Sequence, residues 1–332
     1  MLQSFNAKNF RGFADLDLGP LGAVNLIVGR NSSGKSSVLE AIDLFNSRGD
    51  YAVIRRLIEE RHENRVSHKL NWLTHLRGLC LVETTGDEVA FELAAGYGKL
   101  FEIARFSFEE KASVFTYRVK DIEGASFWTA VIEKDGGEIG KYPMLITKPL
   151  FPLSCAPFGS VDIEQLSLSW DRLALTDLEA AVEDALRLII PNARRIGFLQ
   201  VSKDRRAPFI STDAGGPYPL RRWGDGAVRM FQIAVQMLNA KDGLFLADEI
   251  ENGLHYSVQE DLWRLVFKLS TEHNIQVFAT THSLDCITGF ARIAQSFPDQ
   301  GTLIRLERHD GQVTATRYSD HDLAIAAKHN IE

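Results

Sequence analysis

The chain has 332 residues, of which 45% are hydrophobic and 24% are charged, and its formal net charge is −7. This apolar content is ordinary for a globular protein and excludes a disordered or collagen-like chain. No apolar run is long enough for a transmembrane helix and no signal-like segment opens the chain, so we expect no membrane partner. The three cysteines form no CxxC pair, which argues against a disulfide framework and favours the cytoplasm.

The negative charge argues against a protein that coats nucleic acid by charge alone, although local basic clusters are present. Each cluster is either a solvated face or a DNA-binding face. Their members are Arg55, Arg56, Arg61, Arg65, His68 and Lys69, then Lys203, Arg205 and Arg206, and finally Arg221 and Arg222.

The first fifty residues predict three short strands followed by a helix. The ranges are 2–10, 14–18 and 24–28 for the strands and 35–46 for the helix. The third strand is an almost continuous apolar run, as expected of a buried strand. The helix is amphipathic, because its apolar residues recur at helical spacing.

The middle of the chain predicts a mixture of elements. A basic helical stretch is expected at about 51–65, and residues 78–134 contain short hydrophobic runs separated by turn signals, which predict an antiparallel subdomain. Four prolines between 143 and 157 indicate a connecting segment. A capping box that begins at Thr176 predicts a helix that ends before Pro191.

Beyond residue 220, helices alternate with strands, which is typical of a parallel sheet covered on both faces. The predicted order is a helix at 227–239, a strand at 244–247, a helix at 256–271, a strand at 276–279, a helix near Leu284, and a hairpin of 303–307 and 312–317.

Residues Gly29–Ser36 match the pattern G-x-x-x-x-G-K-[S/T] without a mismatch. The glycines let backbone N–H groups face a polyphosphate, Lys35 adds a positive charge, and Ser36 offers a hydroxyl to Mg²⁺. An apolar strand ends at Gly29 and an amphipathic helix begins at Lys35, which is the context that this pattern requires. The positive end of that helix also favours an anion.

A second motif is an apolar strand that ends in two acids, Asp248 and Glu249. Carboxylates are costly at a buried strand end unless a cation is near. Asp248 suits Mg²⁺, and Glu249 suits a general base that polarises the attacking water. More than 200 residues separate Lys35 from Asp248, so a large insertion is expected. No Asn-Lys-x-Asp guanine reader is present, which favours ATP over GTP.

Two further motifs are less specific. Gly224-Asp225-Gly226 opens a predicted helix, where it is either a phosphate-contacting turn or a plain turn in which Asp225 caps the helix. His282, in Thr280-Thr281-His282-Ser283, follows a strand end and is either structural or able to contact the γ-phosphate or its water.

The ordered set of motifs resembles the ABC-type ATPase heads of the RecF, SMC and OLD-like (overcoming lysogenization defect) group, and most of all the small OLD-like ATPases of bacteria. The motifs are Asn9–Phe13, Gly29–Ser36, Gly224–Gly226, Leu246–His255 and Thr280–Ser283. They cover about 1–48 and 220–332, whereas about 50–205 carries no motif that we can place.

The resemblance implies an α/β fold of the P-loop NTPase class with an ABC-type head. We expect a mixed or parallel sheet flanked by helices, with an antiparallel β subdomain and a helical insertion. Residues 1–332 are expected to form a single head. Its nucleotide-binding core would be 1–48 and 220–332, and 50–219 would be the insertion.

The resemblance also implies roles for individual residues with ATP and Mg²⁺. The catalytic residues would be Glu249 as the base, His282 as the switch histidine and Lys35 on the phosphates. Ser36 and Asp248 would bind the metal, and 251–255 would be the D-loop. The nucleotide-binding residues of the same protomer would be Arg11, Gly29, Arg30, Asn31, Ser32, Ser33, Gly34, Lys35, Ser36 and Ser37. Those that touch the ATP of a second protomer would be Gly224, Asp225 and Gly226.

The resemblance therefore implies a homodimer or larger assembly that closes around ATP and drives or gates a separate effector, in anti-phage defence or DNA repair. An effector is expected because the sequence ends near the point where full OLD proteins begin a Toprim nuclease domain. Two alternatives stay open: an ATP-gated scaffold or inhibitor with little turnover, and a DNA-binding repair ATPase. A transporter subunit is disfavoured, because the signature differs from Ser-Gly-Gly-Gln and neither Gln165 nor Gln200 can be assigned as the Q-loop.

Overall fold

The computed structural model describes residues 1–60, 79, 88–98, 100–109, 114–120, 125–131, 149–156, 162–203, 205–318 and 322. The chain divides into two compact units, each built from several segments. Unit 1 comprises Met1–Leu21, Gly29–Leu150 and Arg305–Arg317, and unit 2 comprises Gly22–Val28, Phe151–Ile304 and Tyr318–Glu332.

Unit 1 contains an antiparallel sheet and two helices. The sheet order is β2-β1-β4-β5-β6-β7, with β1 (Leu2–Phe10), β2 (Phe13–Pro20), β4 (Glu88–Tyr97), β5 (Leu100–Glu109), β6 (Val114–Lys120) and β7 (Ala125–Val131). The helices are α1 (Lys35–Asn46) and α2 (Tyr51–Glu60). The predicted antiparallel subdomain is therefore confirmed, and it is continuous with the first two strands of the chain.

Two phenylalanines of β1 anchor the packing of unit 1. Phe5 and Phe10 are fully buried, and Phe5 packs edge-on against Phe45 of α1 at 5.9 Å between ring centroids. Phe10 packs against Phe91 of β4 at 5.1 Å. Buried aromatic pairs of this kind add to the free energy gained by removing apolar surface from water.

Unit 2 is built on parallel strands. In order across the sheet they are β3 (Val24–Gly29), β13 (Gln276–Thr281), β12 (Leu244–Ala247) and β8 (Leu153–Ala156). The full sheet order is β15-β14-β3-β13-β12-β8, with β14 (Gly301–His309) and β15 (Gln312–Tyr318). Residues of β3, β12 and β13 are almost all buried, which explains why their sequences are continuous apolar runs.

Helices cover this sheet and a smaller antiparallel sheet completes unit 2. The helices are α3 (Ile163–Asp171), α4 (Asp177–Leu186), α5 (Asp225–Asn239), α6 (Gln259–His273) and α7 (Leu284–Ala294). The small sheet has the order β11-β10-β9, with β9 (Ala193–Ser202), β10 (Arg205–Thr212) and β11 (Gly215–Pro219). The predicted α/β class is confirmed.

Three features of unit 2 differ from the sequence predictions. The proline-rich segment predicted as a connection contains β8, which pairs with β12 in parallel. Four residues are too few to show a periodicity, and Pro152 precedes the strand, where its carbonyl still accepts a hydrogen bond from Leu244 N at 2.7 Å. Helix α3 and the sheet of β9–β11 also had no prediction; in β9 and β10, exposed arginines interrupt the apolar pattern.

Strand β8 thus extends the central sheet with residues that the sequence division assigned to the insertion at 50–219. The division into a core of 1–48 and 220–332 and an insertion stays a prediction. Arg61, Arg65, His68 and Lys69 lie outside the described residues, as does the side chain of Arg55. Among the described residues, no helix is long and apolar enough to cross a membrane.

Candidate nucleotide site

The glycine-rich loop of unit 1 connects the last residue of β3 to α1. Its backbone enters the positive-φ region at Gly29 (151°), Ser32 (62°) and Gly34 (100°). Gly34 is the N-cap of α1, and among the described residues no side chain caps the helix. A helix N-terminus that follows such a loop is a usual place for an anion, because its backbone N–H groups and its dipole favour negative charge.

The two glycines of the motif are required by space as well as by conformation. A Cβ atom at Gly29 would lie 2.5 Å from the Leu306 carbonyl oxygen and 2.7 Å from Ser33 Oγ. A Cβ atom at Gly34 would lie 2.6 Å from Cε1 of Phe13. Because real Cβ atoms do not approach other atoms so closely, any larger residue must distort the loop.

The polar groups of the loop fit a polyphosphate. Lys35 is buried, and its ammonium donates to the carbonyl oxygens of Gly29 at 2.9 Å and Arg30 at 3.1 Å, which fixes the charge across the loop. Ser33 is buried, and its hydroxyl has no hydrogen-bond partner among the described residues. A buried hydroxyl without a partner costs free energy, so a phosphate oxygen is a suitable acceptor for it.

The other predicted residues of this loop differ in exposure. Arg30, Asn31 and Ser32 are exposed, Ser36 is part-buried and Ser37 is buried. The loop is therefore exposed at 30–32, and from Ser33 onward buried positions alternate with part-buried ones.

Arg11 was predicted to lie near the nucleotide, and its side chain is held by other groups of unit 1. Its Nε donates to Glu40 Oε2 of α1 at 3.0 Å, and its Nη2 donates to the Leu57 carbonyl of α2 at 3.4 Å. The backbone of Arg11 is left-handed, with φ of 51°. The guanidinium therefore ties the β1–β2 turn to both helices, and its contact with the nucleotide stays a prediction.

In unit 2, one threonine organises the two acids that follow β12. The hydroxyl of Thr280 donates to Asp248 Oδ1 at 2.5 Å and accepts from the Glu249 N–H at 2.8 Å. Its carbonyl accepts from Ile250 N at 3.1 Å. Glu249 is left-handed, with φ of 46°, a conformation that costs a non-glycine residue about 1–2 kcal/mol. Such strain concentrates at functional sites.

Glu249 is paired with the predicted switch histidine. His282 Nδ1 lies 3.2 Å from Glu249 Oε1, and the imidazole is half exposed while the carboxylate is part-buried. His282 follows Thr281, which pairs with Val28 at the end of β3, and Gly29 is the next residue of the chain. The acids and the histidine are therefore brought together, as their places at the ends of neighbouring parallel strands predict.

The signature segment opens α5 without a side-chain cap among the described residues. Gly224 is the N-cap, with φ of 90°, and Asp225 is the first helical residue. The carboxylate of Asp225 pairs with Arg221 at 2.9 Å on the exposed surface. The expectation that Asp225 caps the helix is therefore wrong, because a residue inside the helix cannot reach back to the N–H groups that a cap satisfies. A Cβ atom at Gly226 would lie 3.7 Å from Leu254 Cδ2.

Sequence reasoning missed the groups that position the acids. Thr280 and Thr281 were quoted only as neighbours of His282, and Glu251 only as part of a loop. Two adjacent threonines at a buried strand end, opposite a strand that ends in acids, are a signal that could have identified them. Arg229 gave no signal, because arginine in an amphipathic helix is ordinarily exposed, whereas here it is buried.

The donor set also bears on Mg²⁺. Among the described residues, no group of three or more His, Cys, Asp and Glu side chains could hold a metal ion by itself. Mg²⁺ ordinarily takes one or two protein oxygens together with water and phosphate oxygens. A carboxylate and a serine hydroxyl, as predicted for Asp248 and Ser36, fit that requirement.

Comparisons with known families divide the chain between two models. A model described as "AAA ATPase domain" matches residues 1–119, and one described as "AAA domain, putative AbiEii toxin, Type IV TA system" matches residues 148–285. The matched ranges include the glycine-rich loop in the first case, and the signature, the acids and His282 in the second.

Among curated relatives, an ATP/GTP phosphatase of Helicobacter pylori is 22% identical over 97% of both chains. An OLD nuclease of Thermus scotoductus is 52% identical over 44 residues, which are 13% of this chain and 8% of the nuclease. An uncharacterized protein of Methanocaldococcus jannaschii is 38% identical over 61 residues, which are 18% of this chain and 28% of that protein. The chain therefore spans well under two thirds of the length of these last two relatives.

Solved structures share the fold at low identity. The SMC head domain from Thermotoga maritima aligns with a TM-score of 0.55 at 12% identity and covers 96% of this chain and 99% of its own. An SMC head bound to the C-terminal winged-helix domain of ScpA aligns with a TM-score of 0.52 at 16% identity, covering 98% and 99%.

The chain has a glycine-rich loop with a lysine between a strand and a helix, and it has two acids and a histidine at the ends of parallel strands. These features define a P-loop nucleotide hydrolase. Two models of AAA ATPase domains match the chain and its fold is that of an SMC head, which supports its resemblance to the ABC-type AAA ATPases of the RecF, SMC and OLD-like group. It is an ATPase, which binds and hydrolyses ATP.

Proposed function

We propose that Glu249 is the general base of ATP hydrolysis and that His282 orients it. The observation that supports this proposal is the contact of 3.2 Å between His282 Nδ1 and Glu249 Oε1, beside the Thr280 bridge to Asp248. Glu249 accepts a proton from water while the water oxygen bonds to the γ-phosphorus and the bond from phosphorus to the bridging oxygen of ADP breaks.

The remaining predicted residues bind and neutralise the substrate in this proposal. Gly29–Ser37 hold the phosphates through backbone N–H groups, and Lys35 balances the charge that develops on them. Ser36 and Asp248 bind Mg²⁺, which neutralises phosphate charge when it is present. Within its own unit, each of the two side chains Lys35 and Asp248 is held by hydrogen bonds.

The test compares steady-state ATP hydrolysis by the wild type and Glu249→Gln. We expect turnover to fall by about 100-fold or more in the variant while ATP binding is retained, because a base contributes about 10²–10⁴-fold. Glu260→Gln is a matched control, since Glu260 lies on the surface of α6, where its carboxylate pairs with Arg292. Equal turnover in the wild type and Glu249→Gln would exclude the proposed base.

We further propose that two copies close around ATP and that Gly224-Asp225-Gly226 contacts the nucleotide of the second copy. Support comes from the N-terminus of α5, where among the described residues no side chain occupies the first N–H groups. If this is right, specific activity rises with protein concentration, and Gly226→Ala lowers turnover without weakening ATP binding. Activity that is independent of concentration, with a monomeric mass in the presence of ATP, would contradict it.

A partner effector, in anti-phage defence or DNA repair, is the biological role that we propose. The related SMC head that binds a ScpA domain supports the idea that heads of this fold present a surface to a separate protein. If the wild type binds ATP without turnover above that of Glu249→Gln, the alternative of an ATP-gated scaffold that holds its effector is the better account.

DNA binding is a second candidate, and one observation in unit 2 favours it. The guanidinium of Arg222 lies 4.6 Å from the Tyr218 ring centroid and 6.0 Å from that of Trp223, beside the exposed Arg221. A basic and aromatic group of this kind suits a nucleic acid strand. Duplex DNA should then stimulate hydrolysis by the wild type and not by Arg222→Glu. Equal turnover with and without DNA at low salt would exclude it.

A further inference from the structure

A third carboxylate, Glu251, lies behind the proposed catalytic pair in unit 2. It is buried, and its Oε1 accepts a hydrogen bond of 2.5 Å from the Thr281 hydroxyl. Its Oε2 is also buried and has no hydrogen-bond partner among the described residues. Burying a carboxylate with one oxygen that makes no hydrogen bond costs free energy of folding. Such a group therefore needs a nearby positive charge or a functional explanation.

The balancing charge comes from α5. Arg229 is buried on that helix, and its Nη1 donates to Gln232 Oε1 at 2.7 Å. Burial lowers the pKa of the Arg229 guanidinium, and the negative charge of Glu251 opposes that shift. The guanidinium stays protonated, as arginine does in proteins, so α5 and Glu251 attract each other through the interior.

The backbone around Glu251 makes a second connection to the same helix. Leu254 N donates to the Glu251 carbonyl at 2.9 Å, and Asn252 N donates to the Glu249 carbonyl at 2.9 Å. These two turns place Leu254 so that a Cβ atom built on the signature residue Gly226 would lie 3.7 Å from Leu254 Cδ2. One short loop, 249–254, therefore runs from the proposed base to a position beside the start of α5.

The hydroxyl of Thr281 connects Glu251 to the backbone around His282. Its hydroxyl donates to Glu251 and also accepts from the Ser283 N–H at 3.0 Å. The hydroxyl thus fixes the backbone on both sides of His282, whose ring contacts Glu249. Thr280 makes the corresponding two bonds one residue earlier, to Asp248 and to the Glu249 N–H.

We infer that Glu251 is a positioning residue, which links the first turns of α5 to Thr281 and through it sets the orientation of His282 against Glu249. A displacement of α5, whose N-terminus carries the signature segment, is then transmitted to the proposed base. This inference rests on the proposed roles of Glu249 and His282, and it adds a route by which the signature segment regulates them.

The test uses Glu251→Gln, which keeps the shape and an acceptor oxygen but removes the charge opposite Arg229. We expect kcat to fall by about 10-fold with the Kd for ATP unchanged, because the change misplaces a catalytic group without altering the phosphate loop. Thr281→Val should cause a similar loss of kcat, and Thr281→Ser should restore most of it. The double variant Glu251→Gln/Thr281→Val should be no worse than either single variant, since both break one connection.

A second readout does not depend on activity. The imidazole signal of His282, in protein labelled with ¹³C-histidine and assigned with His282→Gln, should shift in Glu251→Gln and Thr281→Val and should not shift in Glu260→Gln. If the signal shifts while turnover is unaffected even by Glu249→Gln, the proposed function fails and the positioning link stands. If Glu251→Gln lowers only the melting temperature, leaving kcat and the His282 signal unchanged, the inference is overturned.

Thr281→Val keeps the test decisive if Glu251→Gln does not fold, because this variant leaves the charges of both Arg229 and Glu251 in place. Unchanged kcat and an unchanged His282 signal in folded Thr281→Val would equally overturn the inference.

Discussion

The phosphate loop of unit 1 and the acidic strand ends of unit 2 are stabilised by different kinds of interaction. The loop depends on backbone conformation, with positive φ at Gly29, Ser32 and Gly34 and no room for a Cβ atom at either glycine. The acidic region depends on side-chain hydrogen bonds, in which Thr280 and Thr281 each join a carboxylate to a backbone N–H. We therefore expect the phosphate loop to lose function when a side chain is enlarged. The acidic region should instead lose function when a hydrogen-bonding atom is removed, even if the shape of the side chain is kept.

The largest effect that this comparison predicts is for Gly34→Ala. The new methyl group would meet Phe13 at 2.6 Å and the backbone would remain at φ of 100°, so the loop must distort. We expect ATP binding to weaken by about 100-fold or more in isothermal titration, which corresponds to about 2.7 kcal/mol. Gly98→Ala is the matched control, because Gly98 also has positive φ but no atom of the described residues lies within 4 Å of its Cβ position.

The control separates two causes. Gly98→Ala should cost stability of about 1 kcal/mol from the left-handed backbone alone and should leave ATP affinity unchanged. Comparable ATP affinity in Gly34→Ala and the wild type would show that the loop does not hold the phosphates.

Lys35→Ala should have the next largest effect. A hydrogen bond to a charged group is worth about 1.5–3 kcal/mol, so we expect ATP affinity to fall by about 10- to 100-fold. The change also removes the donor that holds the Gly29 and Arg30 carbonyls. Titration with a fluorescent nucleotide would measure the affinity, and Lys268→Ala on α6 is a control for the loss of a lysine elsewhere. An unaltered affinity in Lys35→Ala would show that Lys35 does not bind the nucleotide.

Thr280→Val should have a smaller effect, confined to turnover. Valine matches the shape of threonine but cannot donate to Asp248 or accept from the Glu249 N–H. At about 0.5–1.5 kcal/mol for each bond, we expect kcat to fall by about 5- to 100-fold with ATP affinity retained. Thr280→Ser should recover most of the activity in the same steady-state assay. A valine variant as active as the serine variant would make shape, and not the hydroxyl, the important property.

The smallest effect concerns Cys286, which lies in the first turn of α7. Burial raises the pKa of this thiol far above its ordinary value, and the charge of Glu251 raises it further. Because the thiolate is the reactive form, we expect Cys286 to resist alkylation at pH 8 in the native protein and to react after unfolding in guanidinium. Mass spectrometry of the modified peptides would measure this. Rapid native alkylation would show that water reaches the Glu251 side of the loop.

The two regions also differ in how far the sequence predicts them. Gly29–Ser36 follows a pattern in which backbone geometry requires particular residues, so both the loop and the helix at Lys35 were predicted to the residue. Asp248, Glu249 and His282 were predicted from their places at strand ends, and the structure brings them together in unit 2.

What the sequence could not reveal depends on contacts between residues far apart in the chain. Glu251 accepts a hydrogen bond from Thr281, and its negative charge acts on the buried Arg229 of α5; no local pattern encodes such interactions between distant parts of the chain. Strand β8 was missed for the same reason, since its four residues become a strand only by pairing with β12. Arg11 was placed by motif alone, whereas its ion pair with Glu40 depends on the packing of unit 1.

The order of the parallel strands has a consequence for the synthesis of the protein. Val24 of β3 pairs with Val277 of β13, so the strand that leads into the phosphate loop waits for more than two hundred further residues before it gains this neighbour. Contacts so distant in sequence slow folding and leave hydrophobic strands exposed in the nascent chain. The antiparallel pairs of β1 with β2 and β4 with β5 need only short loops. In a nascent chain that ends before residue 276, these hairpins can therefore form while β3 still lacks its parallel partner β13.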